Sequence, residues 1–254
     1  MKKIVLSLIS LIGKQNLGTV LKFFSSFTRK LAYYAHALQM KYDWKVPPQP
    51  EWFDHYCDQF YLFPKFGNPL WVERGIFGLL AMKQGAKVLE LCCGDGFNSS
   101  HFYSIRAESI IAVDFDKDAL IHAKKYNKTA NVDFRFCDIR LGMPDGVFNN
   151  IVWDAAIEHF TELEIEAIMQ AIKARLADKG IVSGYTILEK ESGEKHLTHH
   201  EYEFKSKEDL KRFFDPHFKH VKVFETQYPN RHNLYFYASD AVIPFNAGWD
   251  GMTA

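Results

Sequence analysis

An apolar run that ends in an acid and passes through paired glycines into a helical pattern leaves a chain few folds to choose from. Here Val88-Leu89-Glu90-Leu91 leads into Cys92-Cys93-Gly94-Asp95-Gly96 and on to Phe97. A strand, a tight turn and a helix in that order set backbone N–H groups and a carboxylate at the carboxyl edge of a sheet, where open α/β sheets bind ligands. Gly94 and Gly96 allow the turn and let the backbone approach a ligand without a Cβ in the way.

The rest of the chain beyond Lys87 supports the same architecture. Short apolar runs at 88–91, 109–113, 132–136, 150–153 and 180–188 read as strands. Helical patterns fall between them at 97–105, 117–126 and 162–176. The last repeats Ile165, Ile168, Ile172 and Leu176 at helical spacing, with Lys179-Gly180 as its expected stop. A helix is predicted at 207–214. Two final strands, 220–224 and 233–238, are close enough in sequence to pair antiparallel. Alternating strands and helices of this kind build a mostly parallel, doubly wound sheet.

The segment before this pattern differs in character. Pro47-Pro48-Gln49-Pro50 forms an extended break, and nine Phe, Tyr and Trp residues, with His55 among them, follow from Trp52 to Phe77. The division that results is an N-terminal helical and aromatic extension, 1–78, followed by the main domain, 79–254. The apolar run Ile4 to Ile12 after Lys2-Lys3 resembles the start of a signal peptide, but no small-residue cleavage site follows and it is too short to span a bilayer. We read the region as an amphipathic helix packed on the domain or a partner. Its basic residues, with no acid before Asp43, keep a peripheral membrane contact open as the alternative.

Composition excludes more than it selects. Lysine and arginine total 31, as do aspartate and glutamate, so the formal net charge is zero and the footprint of a general nucleic-acid binder is missing. Four cysteines, two of them adjacent, do not make a disulfide framework or a zinc knuckle, and a reduced, cytoplasmic protein is expected.

Two further acids fall in phase with the loop. Asp114 ends the second strand and Asp138 follows the third, so Glu90, Asp114 and Asp138 share one edge of the sheet. A carboxylate at 114 can accept hydrogen bonds from a ribose diol. A nicotinamide oxidoreductase would use similar parts, but Gly94 and Gly96 are followed by Ser99 rather than the third glycine that a pyrophosphate site needs.

Taken with Ala112-Val113-Asp114, Cys137-Asp138 and Ile151 to Phe160, the sequence over about residues 85 to 240 resembles the class I S-adenosylmethionine-dependent methyltransferases. The resemblance implies a Rossmann-like, seven-stranded, mostly parallel sheet with an antiparallel last strand, and S-adenosylmethionine as the cofactor. It implies cofactor contacts at Glu90, Cys92, Gly94, Gly96, Asp114, Phe115, Asp138, Ile139 and Asp154. The loop would meet the methionine and ribose portion, Asp114 the ribose diol and Asp138 the adenine amino group. Cys92 stands where many members have glycine.

For the acceptor, Asp154-Ala155-Ala156-Ile157 lacks the Pro-Pro-aromatic pattern of nucleobase amino-group methylases. Glu158-His159 resembles the pair found in many O-methyltransferases of small molecules, which makes both candidate catalytic residues. Methyl transfer is a direct displacement, so alignment does most of the work, and a hydroxyl acceptor gains from a nearby histidine base. The expected acceptor is a small molecule, a saccharide or a lipid-linked saccharide; a non-catalytic methyltransferase-like binding subunit is the alternative. His196 to Tyr202 holds three histidines and a glutamate with metal-ligand chemistry, but neither supporting partners nor helical spacing can be read there, and no metal is assigned.

Overall fold

The structure is a computed structural model that describes residues 14–43, 70–229, 231–241, 243–244 and 251–253. The apolar run before residue 14, the proline break and the aromatic stretch from Trp52 to residue 69 lie outside the described residues.

Helix α1, Lys14–Asp43, is the helical extension expected from sequence. Leu21, Phe23, Phe24, Phe27, Leu31, Tyr34 and Leu38 along it are each more than half exposed. Helix α2 follows at Leu70–Leu80 and runs across position 78, where the composition changes.

From Ala86 onward strands and helices alternate. They are β1 Ala86–Leu91, α3 Phe97–His101, β2 Ala107–Asp114, α4 Lys117–Tyr126, β3 Val132–Phe136, β4 Phe148–Asp154, α5 Glu162–Arg175 and β5 Leu176–Ile187. Helix α6, Lys207–Lys211, precedes β6 His220–Tyr228 and β7 Arg231–Ser239, and a short β8 lies at Gly251–Thr253. The sheet order is β3-β2-β1-β4-β5-β7-β6-β8. Strand β7 runs antiparallel to both its neighbours, and the other pairings are parallel, so the first seven strands form the expected doubly wound sheet. The eighth pairs parallel to β6. Its three residues are too few to show a pattern in sequence.

Alternate residues of each strand enter the two layers. Trp153 and Phe236 pack with Ile165, Ile168 and Ile172 of α5 on one face. Val152, Phe134 and Leu120 pack with Tyr103 on the other, while Tyr235 and Tyr237 meet Phe77 of α2 there. Local chemistry fixes the helix starts. The Asp116 side chain accepts from the N–H groups of Asp118 and Ala119, and Thr161 with Glu164 forms a capping box on α5.

Several boundaries differ from the sequence reading. Helix α5 stops at Arg175, whose guanidinium binds the carbonyls of Ala171, Met143 and Pro144. Leu176 is already extended and pairs with Phe148, so Lys179-Gly180 lies inside an irregular start of β5 rather than at a helix stop. The predicted helix 97–105 breaks after His101 into a 3₁₀ turn, Tyr103–Ile105, that buries the Tyr103 ring. Helix α6 ends at Lys211 instead of 214, and β6 continues to Tyr228 because Thr226 and Tyr228 donate to the buried Glu73 carboxylate of α2. Asn233 and Tyr235 donate to the same group, which anchors α2 on the sheet.

Candidate active site

A cavity of about 250 Å³ opens at the carboxyl ends of β1 to β4. Its walls include Glu90, Cys92, Gly94, Asp114, Phe115, Asp138, Ile139, Asp154 and His159, so the sheet brings together most of the residues singled out in sequence. Gly96 and Glu158 are not on the wall. Gly96, in a left-handed conformation at φ 74°, starts α3, and a Cβ there would stand 2.4 Å from the Phe134 ring. Its glycine serves close helix–sheet packing.

The loop after β1 is held from the neighbouring strand. Cys93 N–H donates to the Val113 carbonyl at 2.9 Å, and Gly94 N–H donates to Asp114 Oδ2 at 2.8 Å. Cys92 takes φ 56°, the left-handed region that glycine enters without cost. The backbone has therefore kept the conformation a glycine would take, at roughly 1–2 kcal/mol of strain for a residue with a Cβ. Ala155 at the end of β4 does the same, at φ 52°. Both strained residues face the cavity. Burial pushes both adjacent thiols well up, with Asp114 reinforcing the effect, so they remain uncharged.

The four acids differ in their surroundings. Glu90 is buried and accepts from Ser99 Oγ; burial outweighs that hydrogen bond and pushes its carboxyl up to about 8. Asp114 is pushed up to about 6 by burial, opposed by the N–H groups of Asp116 and Gly94. Its Oδ1 takes Asp116 N–H at 2.8 Å and Oδ2 that of Gly94, and the Phe115 N–H is a third backbone donor to a group with about four lone-pair sites. The acceptor capacity that remains suits the hydroxyls of a ribose diol. Asp138 is gripped by the Arg140 guanidinium at 2.8 and 2.6 Å, which lowers its carboxyl below the usual value. Asp154 is bound at Oδ2 by Arg74 Nε (3.0 Å) and Nη2 (2.6 Å) and by Asn98 Nδ2 (3.1 Å).

Arg74, Asn98 and Arg140 on the wall were missed by the sequence reading. Arg140 had a readable signal, two residues past Asp138. Arg74 had none, since it stands on α2, 80 residues before its partner.

The end of the cavity at His159 is built from two loops. His159 follows β4 in a 3₁₀ turn, and the loop after β5 brings His199 and His200 against it. The His159 and His199 rings stack at 4.8 Å, and His159 Nδ1 lies 3.4 Å from the His199 carbonyl. Glu158 sits behind, buried, accepting from Thr186 Oγ1 at 3.0 Å.

Residues 88–180 match a family described as a methyltransferase domain. With the fold and the loop-and-acid cavity already described, this makes residues 88–180 a methyltransferase domain of the class I S-adenosylmethionine-dependent kind, and the protein an enzyme with S-adenosylmethionine as its cofactor. Among solved structures it is similar in fold to DhpI in complex with SAH, at 20% identity over 70% of this chain and 87% of that one, TM-score 0.56. It is also similar to human N-acetylserotonin methyltransferase in complex with SAM, at 12% identity over 68% and 53%, TM-score 0.53. A third is the glycopeptide N-methyltransferase MtfA, at 14% identity over 66% and 88%, TM-score 0.52. No curated protein matches the chain in sequence.

Proposed function

We propose that the enzyme methylates a hydroxyl group of a small-molecule or saccharide acceptor placed between the donor cavity and His159. The observation that carries this reading is the position of His159 on the cavity wall, with its Nδ1 against the His199 carbonyl. A proton on Nδ1 directed at that carbonyl leaves the Nε2 lone pair as the basic one, suited to an acceptor hydroxyl. S-adenosylmethionine supplies an electrophilic sulfonium methyl. Asp114 accepts from the ribose diol, Phe115 and Ile139 flank the adenine, and Asp138 shares its remaining lone pairs with the adenine amino group. Glu90, Cys92 and Gly94 line the methionine end, where Asp154, fixed by Arg74, shapes the wall. Gly96 and Glu158 act from behind, by packing and by holding the turn that carries His159.

The test is methyl transfer to a panel of saccharides, phenols and amines, followed by mass spectrometry. Hydroxyl methylation is expected, with turnover falling about 100-fold or more in His159→Ala while donor affinity is kept. Donor binding should instead be lost in Asp114→Ala. Products methylated only on nitrogen would refute the reading.

The exposed apolar side chains of α1, interleaved with Lys22, Arg29 and Lys30, support a second element: this helix lies on an anionic lipid surface and brings the enzyme to a lipid-linked acceptor. No helix among the described residues is long and apolar enough to cross a membrane. Removing residues 1–46 should abolish flotation with anionic vesicles; unchanged flotation would refute this element.

A further inference from the structure

We propose that Glu158, His159 and His200 form a binding site for a divalent transition-metal ion, zinc foremost, at the acceptor end of the cavity. One ligand atom from each of the three lies within 4.8 Å of the other two. Proximity alone would be weak grounds, since histidines and acids cluster for many reasons. The stronger sign is His200. It is 2% exposed, its Nδ1 pairs with the Glu203 carboxylate, and its Nε2 is buried without a hydrogen-bond partner among the described residues. A buried nitrogen left unsatisfied loses its hydration without any return, so the fold tolerates it only where something else is to bind. The His200 ring stands edge-on to His159, with centroids 4.8 Å apart.

Each of the three residues also has the backing that a metal ligand needs. Glu203 on Nδ1 of His200 fixes the tautomer that offers Nε2, as carboxylates do behind ligating histidines. Thr186 Oγ1 orients the Glu158 carboxylate at 3.0 Å, and the His199 carbonyl faces His159 Nδ1. The two loops are tied together at this point, because the Glu158 carbonyl accepts from the N–H groups of Glu201 and Tyr202 at 2.8 and 3.0 Å. These partners are far apart in sequence, which is why the histidine-rich loop by itself carried no metal assignment.

Two imidazole nitrogens and one carboxylate oxygen suit zinc or cobalt, whereas magnesium and calcium favour oxygen ligands throughout. A tetrahedral zinc ion with Zn–N of about 2.0–2.1 Å needs donors roughly 3.4 Å apart, so binding draws the half-buried His159 ring inward. Three protein ligands leave a position open, and the His159 side of the site gives onto the cavity. The open position takes the oxygen of the acceptor.

This rests on the reading that the acceptor is a hydroxyl compound activated beside His159, and it changes how activation occurs. With the ion present, His159 is a ligand and the hydroxyl proton passes to water rather than to the ring. The oxygen then forms a C–O bond as the sulfonium C–S bond breaks. The products are a methyl ether, a neutral thioether and one proton.

The experiment uses the full chain, treated with EDTA and dialysed. It is titrated with Co2+, read by visible absorption, and with Zn2+, read by calorimetry. One ion per chain is expected, with binding at least 100-fold weaker in His200→Ala and in His159→Ala. Glu203→Gln should weaken it 10–100-fold, and His217→Ala, away from the site, should leave it unchanged. The absence of saturable binding would overturn the proposal, as would binding that the two histidine variants do not alter. Metal-free protein that methylates hydroxyl acceptors at the full rate would remove the ion from the reaction and leave the hydroxyl reading standing. Stoichiometric binding by an enzyme that methylates only amines would uphold the site and refute the hydroxyl reading instead.

Discussion

The ion pair between Arg74 and Asp154 gives the sharpest test of how α2 is joined to the active site. Both side chains are almost fully buried, at 6% and 7% exposure. Arg74 donates twice to Asp154 Oδ2 and lies 4.9 Å over the Tyr185 ring. Arg74→Met keeps the aliphatic stem but leaves the carboxylate buried with the Asn98 amide as its remaining side-chain donor among the described residues. Breaking a buried pair from one side costs about 3–5 kcal/mol, because an uncompensated charge is left behind. At about 2–4 °C per kcal/mol for a chain of this size, the melting temperature should fall by roughly 6–20 °C. The double variant Arg74→Met, Asp154→Leu removes both charges, and such replacements by apolar residues are often neutral or stabilising. It should recover at least half of the loss. Urea denaturation of the wild type, both single variants and the double variant supplies the full cycle. A loss below 1 kcal/mol in Arg74→Met, or additive losses in the double variant, would refute the reasoning.

Three further predictions concern Glu90 and the sheet. The Glu90 carboxyl is pushed up to about 8 in the folded protein, against an ordinary value of 4.5, so the folded state holds an extra proton between those values. The stability this group contributes is full below about pH 4.5 and is lost as pH rises through about 8, so ligand-free protein should melt progressively lower across that window, and Glu90→Gln should flatten the trend. Cationic S-adenosylmethionine favours the ionised carboxylate, so its binding at pH 7 should release protons, seen as a buffer-dependent calorimetric heat; heats independent of buffer would contradict this. At Gly184 in β5 an added Cβ would lie 1.9 Å from the Trp153 carbonyl oxygen and 2.4 Å from Phe236. Gly184→Ala should therefore cost about 3 kcal/mol or more, the upper end for overpacking, and a melting temperature within 3 °C of wild type would show that the strands can part.

How much of this molecule is legible in its sequence depends on how far apart the interacting residues are. The order of strands and helices, the turn at Cys92 to Gly96 and the acids at strand ends follow from local periodicity and from residues that suit particular backbone angles, and these are written within a few positions of one another. The Asp116 cap is of the same kind. Boundaries were less legible, because Leu176 leaves α5 only when Phe148 is there to pair with it. The partners of the site were set by the tertiary structure alone. Arg74 reaches Asp154 across 80 residues, and Glu73 collects donors from β6 and β7 more than 150 residues away. The same holds for Gly96 against Phe134 and for Glu158 and His159 against His200. Period and spacing determine which face of an element is apolar and where a loop must bend. They say nothing of which buried charge faces which, because that is decided only when the sheet and its helices have packed.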